Sequence, residues 1–126
     1  MFSAGRIEPR EIRGREVPLI QQIETQELAR KLAAGDPVTL LDVRQPWEHE
    51  QAALDNSQLI PLDELSFRAE ELKAPAGTLI VVYCHHGIRS LSGAALLGHL
   101  GFENVASLRG GIDAWSQYVD ASVPRY

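Results

Sequence analysis

The run Leu79-Ile80-Val81-Val82-Tyr83 constrains this chain more than any other segment. Five consecutive apolar, β-favouring residues leave no polar face for water, so the strand they form must be covered on both sides. That is the environment of a central strand in a parallel sheet. Pro75-Ala76-Gly77 supplies a turn before it. Residues 38–43 (VTLLDV), Leu59-Ile60 and Val105–Leu108 read as further short strands, each bounded by turn residues. Helical segments alternate with them. Thr25 is a candidate N-cap, with Glu27 in the first turn, Leu28 and Leu32 on one face, and Gly35 as the stop. Pro46 suits the first turn of a short helix through about Glu50. Leu62, Leu65, Ala69 and Leu72, at steps of three and four, predict a helix over 62–72. Residues 90–100 predict another, ending at Gly101, with Gly93, Ala94 and Gly98 small enough to lie close to a sheet. Gly110-Gly111 turns the chain into a last helix through Trp115 and Tyr118. This order predicts an α/β fold with a parallel-dominated sheet and helices on both faces.

At 126 residues the chain has room for one domain. Residues 1–17 mix Arg6, Arg10, Arg13 and Arg15 with Glu8, Glu11 and Glu16 and show no period, so they are expected to form an N-terminal arm. The single domain is expected over 18–126. Twelve Lys and Arg against seventeen Asp and Glu give a net charge of −5, which argues against a nucleic-acid or anionic-membrane surface. No stretch approaches the roughly 20 apolar residues of a membrane span. The charged N-terminus lacks the apolar segment of a secretory signal, so a cytoplasmic location is expected.

The sequence holds one cysteine, Cys84, which excludes an intramolecular disulfide framework and a Cys-only zinc site. It opens the loop Cys84-His85-His86-Gly87-Ile88-Arg89-Ser90, directly after the central strand and before a helix. Ligands of open α/β sheets bind outside the carboxyl ends of the strands. Loop N–H groups and a helix N-terminus there favour an anion, and such a setting favours the thiolate of cysteine. Gly87 permits a backbone conformation that other residues avoid, and Arg89 adds a permanent cation. No Asp or Glu lies between Glu71 and Glu103, so the sequence around Cys84 is locally cationic. Other readings stand beside the reactive one. A free cysteine is often simply buried as a small hydrophobe. A metal could be shared by Cys84, His85, His86 and a distant His49 or His99, although adjacent loop residues rarely converge on one ion. A serine hydrolase is disfavoured, because Ser90 and Ser92 lack a G-x-S-x-G setting.

Two blocks resemble the rhodanese-like sulfurtransferase family. LLDVRQPWEHE is similar to an early D-x-R…E motif, with Asp42, Arg44 and Glu48 matching. VVYCHHGIRS followed by LRGGIDAW is similar to the family's active-site loop and closing motif. The resemblance runs from about Ile20 to Tyr126. It departs at residues 52–57 (AALDNS), where the family usually shows a G-H-I-x-G-A type segment. It implies an open parallel sheet of about five strands with helices on both faces. It also implies that Cys84 is the catalytic nucleophile of a thiosulfate:cyanide sulfurtransferase-like enzyme, or of a persulfide carrier with little thiosulfate activity. Four residues separate Cys84 from Arg89. The resemblance assigns that spacing to sulfur transfer, whereas similar phosphatase and arsenate-reductase loops carry five. His85, His86, Gly87, Ile88, Arg89 and Ser90 would then bind substrate. No cofactor and no metal is implied, because the chemistry resides on the thiol. The implied partners are a small anionic sulfur donor, a thiol or cyanide acceptor, and a sulfur-relay protein.

Outside the loop, Arg44 and Glu48 are four apart and suited to an ion pair that braces the fold. Asp42, at a strand end, is expected to brace neighbouring N–H groups. Arg109 stands at another strand end and is a candidate for the same mouth. Trp47 and Trp115 are expected to pack.

Overall fold

The computed structural model describes residues 19–126; the expected arm over 1–17, and Pro18 at the domain's edge, lie outside the described residues. The elements are β1 (Gln22–Ile23), α1 (Thr25–Ala33), β2 (Val38–Asp42), α2 (Pro46–Gln51), β3 (Gln58–Leu59), α3 (Leu65–Arg68), β4 (Leu79–Tyr83), α4 (Arg89–His99), β5 (Val105–Leu108) and α5 (Gly111–Tyr118). The five strands form one sheet in the order β1-β5-β4-β2-β3, with every pair parallel. No helix among the described residues is long and apolar enough to cross a membrane.

The period-two alternation of β4 divides its apolar side chains between two cores. Val81 and Tyr83 join Leu28, Leu54, Leu108, Ile112 and Trp115 on the side of α1 and α5. Ile80, Val82 and Cys84 join Leu41, Leu65, Ala94 and Leu97 on the side of α3 and α4. The sheet is therefore covered on both faces, as the unbroken apolar run of β4 requires. Cys84 continues the alternation onto the α4 side, which aims its thiol at the helix that follows it in sequence.

Local departures from expectation have physical causes. Glu24, not Thr25, is the N-cap of α1, and its extended backbone turns the chain in. Thr25 is instead a buried first-turn residue, and Leu32 lies at the edge of the apolar face, 39% exposed. The small strand occupies 58–59 and not 59–60, although the Ile60 N–H still donates to the Asp42 carbonyl at 3.0 Å. The expected helix over 62–72 is three pieces: 3-10 turns at Leu62–Glu64 and Ala69–Glu71 flank the single α-turn of α3. The apolar spacing nonetheless holds, because Leu65, Ala69 and Leu72 are all buried. Within α4, Gly93 lies against the sheet, where an added Cβ would meet Val82 Cγ1 at 3.1 Å, while Gly98 has open space beside it.

Candidate active site

The site begins where β4 ends. Cys84 is 1% exposed. Its Sγ receives the Gly87 N–H at 3.1 Å and the Ser90 N–H at 3.3 Å. Ser90 Oγ lies 3.5 Å from Sγ and 2.7 Å from Ser107 Oγ, with all three groups buried. Two loop amides thus converge on one sulfur, an arrangement suited to negative charge, while the thiol itself donates to Ser90 Oγ.

The loop's carbonyls must point elsewhere for its amides to point inward, and α5 provides for this. The Ile112 N–H donates to the Cys84 carbonyl at 2.9 Å, and the Asp113 N–H to the His85 carbonyl at 3.1 Å. The first amides of α5, which have no partner within their own helix, are satisfied by the loop. Such a close approach requires Gly111, which has φ +64 and whose Cβ position is filled by the Cys84 and His85 carbonyl groups. Gly87 has φ +96, and a Cβ there would stand 2.8 Å from the Gly110 nitrogen. The sequence contains Gly110-Gly111, but read locally it signals only a turn. Its contact with the Cys84 loop joins the ends of the neighbouring strands β4 and β5, 26 residues apart in sequence counting from Cys84 to Gly110. Ser107 likewise carried no signal beyond a small residue in a strand.

Arg89 does not stand free as a cation for substrate. Its two terminal nitrogens hold the Glu48 carboxylate at 2.7 and 2.9 Å, tying the loop to α2. Arg44 does not pair with Glu48 as its spacing suggested. It is fully buried and donates twice to Asp42, through Nε at 2.8 Å and Nη2 at 2.7 Å, and also to the Ala52 carbonyl and the Tyr126 hydroxyl. Burial opposes the charge on Arg44, but its bonds to Asp42 and Tyr126 outweigh that and hold it protonated. Asp42 also accepts the Arg44 N–H at 3.0 Å and faces His49 Nδ1 at 2.8 Å. Asp42 thus bonds both the backbone and the side chain of Arg44. The atypical 52–57 segment is fastened to the core by the Ala52 carbonyl on Arg44 and by the Leu54 N–H and Ser57 Oγ on the Tyr83 hydroxyl. Burial pushes that phenol up to about 12.

Tyr126 is a site neighbour the sequence did not single out. Its hydroxyl donates to Glu48 Oε2 at 2.8 Å, and its ring stacks on His85 with centroids 3.9 Å apart. His86 stacks on the other side of His85, also at 3.9 Å. Burial, and then the neighbouring His86, push the His85 imidazole down, and its buried Nε2 has no partner among the described residues. Trp47 is 58% exposed and meets Tyr126 edge-on at 5.9 Å, whereas Trp115 packs in the core as expected. Arg109 ion-pairs with Glu24 at 2.8 Å. Of the residues considered for a metal, His85 and His86 are joined by Asp113 in a cluster with ligand atoms within 4.8 Å of one another. Asp113 is already held by Arg125 at 2.9 and 3.3 Å, so this carboxylate has a resident cation.

The Glu48–Arg89 pair makes stability depend on acid. Bonding to Arg89 holds the Glu48 carboxyl down to about 2, against the burial that opposes it. A carboxyl lowered by folding stabilises the folded state fully above its unfolded value of roughly 4.3, and that contribution disappears as pH falls through the folded value. Glu48→Gln is expected to lower stability at pH 7 by about 2 kcal/mol. Denaturant midpoints should show the gap from the parent narrowing as pH falls from about 4.5 to 2. A gap that stays constant with pH contradicts the assignment.

Residues 24–118 match the Rhodanese-like domain family. The chain belongs to that family. Among curated relatives, this rhodanese-like domain is 32% identical over 100 residues to a sulfurtransferase of Allochromatium vinosum, covering 79% of this chain and 92% of the relative. It is 33% identical over 104 residues to a Mycobacterium tuberculosis protein described as a probable adenylyltransferase/sulfurtransferase, MoeZ, covering 82% of this chain but only 26% of that one. The structure is similar to that of a rhodanese-related protein from Thermoplasma volcanium, with a TM-score of 0.69 and 31% identity over 79% of this chain and 93% of the other. The expected sheet of five parallel strands with helices on both faces is therefore the fold this rhodanese-like domain has.

Proposed function

We propose that this rhodanese-like domain is a sulfurtransferase that moves a sulfane sulfur through a persulfide on Cys84. The convergence of the Gly87 and Ser90 amides on the Cys84 sulfur carries this reading. The Cys84 thiolate attacks the outer sulfur of a donor such as thiosulfate. The donor's S–S bond breaks, sulfite leaves with the bonding pair, and the added sulfur remains on Cys84 as a persulfide anion. Cyanide or a thiolate then attacks that outer sulfur and regenerates the Cys84 thiolate. This is covalent catalysis in which loop amides stabilise the anionic intermediate. Ser90, backed by Ser107, adds a hydroxyl to the cradle. Arg89 acts as a positioning residue through Glu48, while His85, His86 and Ile88 border the incoming donor.

The lone cysteine gives the cycle a direction. No second thiol in the chain is present to convert the persulfide to an internal disulfide, so the sulfur must pass to an external acceptor. A carrier role with a protein partner is the second reading. Relatives in which the matching region is a quarter of an adenylyltransferase/sulfurtransferase support it. The domain is expected to work in the cytoplasm.

Steady-state kinetics with thiosulfate and cyanide test the cycle. Parallel double-reciprocal lines are expected, because sulfite leaves before cyanide reacts. Intersecting lines point to direct transfer between the two substrates. Hydrolysis of an aryl phosphate without sulfur transfer would instead place the loop with the phosphatases.

A further inference from the structure

The charge expected around Cys84 from local sequence is cancelled in space. Arg89 is held by Glu48 through both terminal nitrogens, and Arg44 is enclosed with Asp42. Arg125 is held by Asp113, and Arg109 by Glu24. His85 is pushed toward its neutral form by burial and by His86. His86 itself is exposed, with its Nε2 3.9 Å from Asp113. Glu48 of α2 and Asp113 of α5, with Asp42 and Glu24, thus occupy the nearby cations among the described residues that an inorganic anion would use.

What the rim offers instead is hydrocarbon. Ile88, in the cradle loop itself, is 73% exposed. Trp47 is 58% exposed and adjoins Glu48, whose carboxylate holds the Arg89 that follows Ile88. The rings of Trp47, Tyr126, His85 and His86 then run in a contiguous series along the same loop. Desolvating a dianion here costs free energy that no unpaired cation beside the loop returns among the described residues, whereas an apolar group gains by covering Ile88 and Trp47.

We propose that the preferred sulfur donor is a small organic hydropersulfide, R–S–SH, with an uncharged and apolar R group. The proposal rests on the sulfur-transfer reading above and names its donor class. The Cys84 thiolate bonds to the outer sulfur, the donor's S–S bond breaks, and R–S⁻ leaves with the bonding pair. The proton of the outer sulfur stays with it, so Cys84–S⁻ and R–S–SH become Cys84–S–SH and R–S⁻. With Cys84 1% exposed, only the slender terminal sulfur enters, and R stays at the rim.

Single-turnover loading of Cys84, followed by intact mass, separates charge from reactivity when donors differ only in R. Benzyl hydropersulfide is expected to load about tenfold faster than carboxymethyl hydropersulfide, which carries an anion in place of the ring. Combining Ile88→Ser with Trp47→Ala, both at exposed positions, is expected to bring that ratio close to one. Thiosulfate is expected to load more slowly than the benzyl donor and to gain little at low salt. If the carboxymethyl donor or thiosulfate matches the benzyl donor, or accelerates strongly at low salt, the apolar-donor proposal is overturned while sulfur transfer stands. If no donor leaves a sulfur on Cys84, the sulfur-transfer reading fails and takes the proposal with it.

Discussion

Gly111→Ala is expected to abolish sulfur loading and to destabilise the domain by about 3 kcal/mol, the sum of an overpacked backbone contact and a strained positive φ. An added Cβ would occupy the space of the Cys84 and His85 carbonyl groups. Those carbonyls are backbone, so no side chain can swing away to make room. Relief requires α5 to retreat from the loop, which breaks the Ile112 and Asp113 amide bonds to it. The carbonyls would then be free to turn inward, and the amides that point at Sγ would lose their orientation. Gly101→Ala isolates the strain alone, because Gly101 has φ +100 but nothing within 4 Å of its Cβ position. That control should cost about 1 kcal/mol and leave loading intact. Denaturant midpoints and loading rates read both effects. Equal behaviour of the two variants would show that the α5 contact does not hold the cradle.

Cys84→Ser should remove turnover by at least about 10⁴-fold while the fold persists. Serine is close in volume to cysteine, and its oxygen can still accept the Gly87 and Ser90 amides, so stability is expected to change by no more than about 1 kcal/mol. The two substitutions therefore fail differently. Loss of Gly111 disturbs cradle and fold together, whereas loss of the thiol empties an intact cradle. A Cys84→Ser protein that unfolds, or one that retains turnover, is incompatible with Cys84 as the nucleophile of a preformed loop.

The parts of this molecule that were legible in its sequence are those decided within a few residues. The apolar run of β4 needs cover on both faces wherever it is placed, and it has that cover. A cysteine at the end of such a strand, followed by Gly87 and a helix, becomes a thiol ringed by amides because the loop is only six residues from Cys84 to Arg89. Apolar spacing over 62–72 identified the inward side chains correctly, but burial of one face does not require continuous i to i−4 hydrogen bonding, and 3-10 turns satisfy it too. Charge was the least legible property. Glu48 lies 41 residues from Arg89, and no window of sequence around the loop includes it. Tyr126 joins Arg44, Glu48 and His85 only after the chain has crossed the whole sheet. Gly111 illustrates the same limit, since a glycine needed for a turn and a glycine needed for a carbonyl contact look alike in sequence.

Intact mass spectrometry of the protein, after brief exposure to one equivalent of sulfane-sulfur donor, addresses the persulfide most directly. A gain of one sulfur atom is expected, located on Cys84 by peptide mapping, released by cyanide as thiocyanate, and absent from Cys84→Ser. An unmodified Cys84 in a protein that nevertheless turns over donor and acceptor would contradict it.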